Sequence, residues 1–175
     1  HNFRFSEDYD LYPSGAKTKY KNNVMAIKLL KQIELEKRTA TPEEQIILAR
    51  YVGWGGLANA FSSTASGWEN EYQELKSLLT DVEYKAAMNS TITAYYTEPD
   101  LIRHIYRALE RFGFEGGPDR KILDPGMGTG NFYSVLPEQF QGSKLFGVEL
   151  DSITGRIAKQ LYPDADISIM GYEAT

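Results

Sequence analysis

Cysteine is absent from these 175 residues, so no disulfide framework and no thiolate metal site is available. Histidine occurs twice, at His1 and His104, which leaves little for a metal site of any kind. No apolar run reaches the roughly 18 residues of a membrane span, and no secretory leader opens the chain. These absences together point to a soluble protein of a bacterial cytoplasm, with no membrane and no metal partner. Basic residues are outnumbered 24 to 19, giving a net charge of −5. That balance argues against a chain that wraps a phosphate backbone by itself. Lys17, Lys19, Lys21, Lys28 and Lys31 are spread around one helix between core positions, and read as a solvated face. What is present is an ordinary globular composition, 42% hydrophobic and 25% charged, in a length that can bury a core.

The first half is helical in pattern. Residues 1–20 read as an arm broken at Pro13-Ser14-Gly15. Val24, Ile27, Leu30 and Ile33 recur on one face and predict a helix over 22–36. Thr41-Pro42-Glu43-Glu44 and Thr80-Asp81-Val82-Glu83 each carry a capping box, so helices start there. A further helix is predicted over 68–79. Character changes near Asn89. Thr97 can cap a helix over 98–112, after which strand, loop, helix, strand, helix and strand alternate. The predicted pieces are 121–124, 131–136, 144–149, 152–161 and 166–169. Such alternation implies a parallel, doubly wound α/β sheet. The expected organisation is a helical region over 1–88 and an incomplete, Rossmann-like α/β domain over 89–175.

The segment Lys121-Ile-Leu-Asp-Pro-Gly-Met-Gly-Thr-Gly-Asn-Phe132 carries the chemistry. A strand ending in Asp124 puts a carboxylate at the edge of the sheet where open α/β folds bind ligands. Pro125, Gly126, Met127, Gly128, Thr129 and Gly130 then form a turn that lets backbone approach a ligand. A helix opening at Asn131 and Phe132 aims its amides at the same place. Glu149, with Leu150 beside it, ends the next strand 19 residues after Gly130, where an acid can accept from ribose hydroxyls. The glycine spacing is not that of a nicotinamide or flavin loop, and no Gly-Lys-Ser/Thr makes a P-loop. Asp124 favours a cationic ligand over a diphosphate, which fits S-adenosylmethionine (SAM) better than a dinucleotide.

The Asp-Pro-x-x-Gly-x-Gly-Asn-Phe form resembles the SAM loop of amino-methylating DNA methyltransferases. Tyr95-Tyr-Thr-Glu-Pro99 resembles the Tyr-Thr-Pro-type motif of that class, with Tyr96 and Thr97 flanking the methionine end of SAM and Tyr95 a core aromatic. Further segments extend the likeness: Arg50-Tyr-Val-Gly-Trp-Gly-Gly-Leu57, Gly147-Val-Glu-Leu-Asp151, Gly155-Arg-Ile-Ala158, Leu161-Tyr-Pro-Asp-Ala165 and Gly171-Tyr-Glu-Ala-Thr175. Over nearly its whole length the chain resembles the large methylase–helicase proteins of bacterial conjugative elements and phages. That resemblance implies adenine-N6 methylation of a flipped DNA base, with SAM as cofactor and DNA as partner through the full-length protein. It also implies downstream methyltransferase and helicase regions, and a place for Glu173 near the adenine of SAM. The family's acceptor motif, Asn-x-Pro-Phe, does not occur in the 175 residues. The expectation is therefore an enzyme fragment, inactive alone, with no catalytic residue of its own.

Two other readings accompany this one. The chain could be a non-catalytic DNA- or protein-interaction module of a mobile-element helicase, with the α/β part as scaffold. A nicotinamide-dependent oxidoreductase is the third. Trp54 could stack on a base or anchor packing, and packing is the stronger reading; Tyr20, Tyr51 and Trp68 are core candidates. His104, within the helix after Thr97, reads as a surface or half-buried residue and not as a catalytic base.

Overall fold

A computed structural model describes residues 1–93 and 96–175. Ala94 and Tyr95, and with them the core expectation for Tyr95, lie outside the described residues. The chain divides into two compact units, Asp10–Tyr95 and His1–Tyr9 with Tyr96–Thr175.

The first unit is helical: α1 (Ala16–Leu35), α2 (Pro42–Ala49), α3 (Glu69–Leu78) and α4 (Asp81–Ser90). Helix α1 begins six residues before the expected start. The cause is Tyr20, 2% exposed, which extends the buried face of Val24, Ile27, Leu30 and Ile33 by one more turn. Its hydroxyl donates to the Glu71 carbonyl at 2.9 Å and the Glu74 carboxylate at 3.0 Å. Both capping boxes form: Glu44 N donates to Thr41 Oγ1 and Glu83 N to Thr80 Oγ1, each at 3.2 Å. The buried Asn23 amide donates to the Gly53 carbonyl and accepts from Val52 N at 2.9 Å, fixing the turn that follows α2.

Trp54 sits at the centre of this unit, 1% exposed. Its ring meets Tyr20, Tyr51 and Phe61 edge-on, with centroids 6.2, 6.4 and 5.4 Å away. Packing is thus its role, and a base-stacking lid is excluded by burial. Its Nε1–H has no hydrogen-bond partner among the described residues. Three of the lysines of α1 are taken up by acids of α3 and α4: Lys17–Glu71 at 2.6 Å, Lys28–Glu74 and Lys31–Glu83 at 2.9 Å.

The second unit mixes helix and sheet. Helix α5 (Pro99–Arg111) precedes β1 (Lys121–Asp124), the one-turn α6 (Asn131–Ser134), β2 (Lys144–Glu149), α7 (Ser152–Leu161) and β3 (Asp166–Ile169). The strands are parallel in the order β1-β2-β3, with Asp124 opposite Gly147 and Glu149 opposite Ile169. Parallel pairs need crossovers, and α6 and α7 lie in them. The order runs one way, so the reversal that defines a doubly wound sheet is not among the described strands. What stands is a small three-stranded α/β unit. Residues 2–5 are tied into it: Phe3 N donates to the Leu161 carbonyl at 2.7 Å and Phe5 N to Ser134 at 2.9 Å.

Glu98, not Thr97, is the N-cap of α5, because Pro99 takes the first helical position. Among the described residues no helix is long and apolar enough to cross a membrane, and no group of three acidic or histidine side chains could hold a metal ion.

Candidate functional site

The glycine loop follows β1 and closes on its own protein. Asp124 Oδ1 accepts from Gly126 N at 3.2 Å, turning the chain off the strand. Met127 N donates to the Val148 carbonyl at 3.0 Å, which pins the loop to β2, and the Met127 thioether lies on Gly147. Gly128 has φ +55 and donates its N–H to Glu149 Oε2 at 2.9 Å. Glu149 Oε1 accepts from Asp151 N at 2.9 Å. Both carboxylate oxygens therefore hold backbone amides, one in the loop and one at the entry to α7.

Tyr96 covers the loop. A Cβ at Gly128 would lie 2.9 Å from Tyr96 Cε1, so the ring rests directly on that glycine. Its hydroxyl bonds the Thr154 side chain. Asn131 Nδ2 donates to the Thr97 carbonyl at 3.0 Å, lacing the segment before α5 to the start of α6. Gly130, at φ +89, fits against the buried Tyr162 ring, and Thr129 is buried beside it. The Phe132 carbonyl accepts from Tyr106 Oη at 2.8 Å.

Burial pushes the carboxyls of Asp124 and Glu149 above the usual carboxylate range, and the donated amides only partly oppose it. Burial also raises Tyr96, so its phenol stays protonated at neutral pH. The loop thus gathers Tyr96, Thr97, Asp124, Gly126, Met127, Gly128, Thr129, Gly130, Asn131, Phe132 and Glu149. It does not gather all the expected residues. Leu150 is 75% exposed, Pro125 is exposed, and the Glu173 carboxylate lies against Gly171 in its own turn. Helix α6 has four residues, too few to aim a useful dipole at a ligand. Two residues were missed. Asp151 caps α7, accepting from Thr154 N at 2.8 Å and Thr154 Oγ1 at 2.6 Å, and Thr154 in turn holds Tyr96. The Asp-x-x-Thr spacing after an acid-ended strand was the available signal for the cap.

The chain is similar to Defense against restriction protein B of Escherichia phage P1, 25% identical over 151 residues, which is 86% of this chain. It spans about 5% of that relative's length. No family model and no solved structure matches. The relative's name is one of protection from restriction and not of methyl transfer. That finding overturns both the assignment to SAM-dependent methyltransferases of methylase–helicase proteins and the enzyme assignment. The geometry gives a physical reason for caution with the motif: the acid expected to hold a ribose is already holding two backbone amides. Of the readings drawn from sequence, the non-catalytic mobile-element module fits the relative's name better.

Proposed function

We propose that this chain is a non-catalytic interaction module of a phage or mobile-element protein that counters restriction. The observation that carries this reading is the closure of the glycine loop, with Glu149 clamping Gly128 and Asp151 while Tyr96 rests on Gly128. Such a loop is a rigid joint between strand and helix, which suits a scaffold. The likeness to a phage protein named for defence against restriction supports the setting. Protein contact is favoured over DNA contact. The net charge is −5, and three lysines of α1 are neutralised by Glu71, Glu74 and Glu83. We also infer that the α/β unit is a Rossmann-like sheet and that helicase regions stand elsewhere in the parent protein.

SAM is the ligand proposed for the loop, held and not consumed. Asp124 and Glu149, both reluctant to ionise because of burial, suit a cation, and the sulfonium and ammonium of SAM would offset their desolvation. Glu149 would hold it through the carboxylate lone pairs that its bonds to Gly128 N and Asp151 N leave free, once Tyr96 turns off Gly128. Calorimetric titration with SAM, S-adenosylhomocysteine and NAD tests this part: heat with NAD alone, or SAM binding unchanged in Glu149→Ala, refutes it. The module reading is tested in the intact parent protein with SAM labelled in its methyl group. DNA should acquire no label. Transfer of label to DNA that Glu149→Ala abolishes would overturn the non-catalytic reading.

A further inference from the structure

Helix α5 carries two apolar faces, and the fold uses one. Pro99, Ile102 and Tyr106 are buried. Leu101, Ile105, Ala108 and Phe112 fall at i, i+4, i+7 and i+11 on a second face, the spacing of a helix-pairing seam. That face is open: Leu101 is 57% exposed, Ile105 37% and Phe112 80%. Phe114, 60% exposed, folds back through its N–H on the Leu109 carbonyl at 3.1 Å and extends the patch past the helix end. Contiguous exposure of this kind marks an interaction surface.

The flank says what covers it. His104, Arg107 and Arg111 line one side of the seam, all exposed. Arg103, one turn from Arg107, is answered by Asp100 at 2.8 Å and Glu7 at 3.3 Å. Arg107 and Arg111 have no ion pair among the described residues, in a chain with an excess of acids. A second copy of the chain is a poor occupant, because antiparallel pairing about Ala108 sets the Arg111 flank against itself. We propose that this face docks an amphipathic helix of a separate protein, one whose apolar seam is edged with Asp and Glu. The apolar seam would supply affinity, and the acids would set orientation and partner choice. This inference rests on the reading of the chain as an interaction module.

The probe is a labelled three-heptad peptide helix with a leucine seam and a glutamate flank, read by fluorescence anisotropy. A second peptide carries lysine in place of glutamate. The chain should bind the acidic peptide saturably and discriminate against the basic one. Ile105→Ser with Phe112→Ser should weaken binding by about tenfold or more. Arg107→Glu with Arg111→Glu should reverse the preference between the peptides. These side chains are exposed, so circular dichroism should show the fold intact in every variant. Equal affinity for the two peptides, indifference to both variants, or preferential binding of duplex DNA by the arginine flank would overturn the proposal. So would wild-type dimers in sedimentation that dissociate on Phe112→Ser. A negative result here, while the parent protein still transfers no labelled methyl group to DNA through this chain, removes this surface and leaves the module reading standing.

Discussion

Replacing Gly130 with alanine should be among the most damaging one-methyl changes this fold can suffer. Gly130 has φ +89, a left-handed conformation that costs an L-residue roughly 1–2 kcal/mol. The added Cβ would also collide with the Tyr162 ring, which is 1% exposed and packs edge-on against Tyr133 at 5.8 Å. A ring so enclosed cannot step aside, and overpacking of that kind costs roughly 1–3 kcal/mol more. The sum, about 2–5 kcal/mol, is a large share of a total stability of about 5–15 kcal/mol. At about 2–4 °C per kcal/mol for a chain of this size, melting should fall by roughly 4–20 °C. Gly142 supplies the control. Its φ is +84, and a Cβ there would meet nothing within 4 Å. Gly142→Ala should therefore show the backbone cost alone. Urea denaturation followed by circular dichroism measures both. Combining Gly130→Ala with Tyr162→Leu should recover part of the loss, with a coupling of about 1 kcal/mol or more. If Gly130→Ala costs no more than Gly142→Ala, the close packing of the loop against α7's end is wrong.

Trp54→Ala should destabilise the helical unit by about 3–5 kcal/mol in urea titrations, as emptying a buried aromatic site does, whereas a lid tryptophan would leave stability nearly unchanged. Thr80→Ala should cost about 1 kcal/mol through loss of the cap on α4, read by the same titration; no change would mean that the 3.2 Å bond to Glu83 N is not formed in solution. Asp124→Asn keeps the Oδ1 acceptor for Gly126 and removes a carboxylate that burial raises. A raised folded value means that the acid's contribution is present below the unfolded value, about 3.9, and is lost as pH rises through the folded one. The variant should thus melt above the native chain at pH 7, with the gap closing toward about pH 3. A gap independent of pH would show that Asp124 is not desolvated.

Elements whose causes are local could be read from the sequence. The capping boxes at Thr41 and Thr80 each need four consecutive residues, and both form as expected. Strands β1 and β2 end at the acids that bounded their apolar runs, Asp124 and Glu149, and β3 spans 166–169 as expected. Where a distant contact decides, the sequence reading falls short. Helix α1 starts early because Tyr20 finds Glu71 and Glu74 on another helix, about 50 positions away. Thr97 looked like a cap, yet Pro99 shifts that position to Glu98. Helix α6 stops at Ser134, whose hydroxyl turns back onto the Asn131 carbonyl at 2.7 Å. Within the site, the cluster of Asp124, Gly128 and Glu149 was legible from spacing along one strand–loop–strand unit. The seating of Tyr96 between Gly128 and Thr154 was not, because it joins residues more than 30 positions apart.

The loop also shows how a motif can be over-read. Each residue that suggested a cofactor has a reason in the fold alone. Gly128 lies under Tyr96, and Gly130 lies under Tyr162. Glu149 satisfies two amides that would otherwise be buried at the strand end, and Met127 seals the loop on Gly147. A residue with a sufficient internal role does not assign an activity, however familiar its spacing. The opposite holds for α5. Phe112 lies 80% open, and Arg107 and Arg111 lack any ion pair among the described residues. Nothing within the described fold requires them to be apolar or basic. Side chains without an internal purpose are where an interaction module would keep its recognition surface, and that places the search for this protein's partner on α5 more than on the glycine loop.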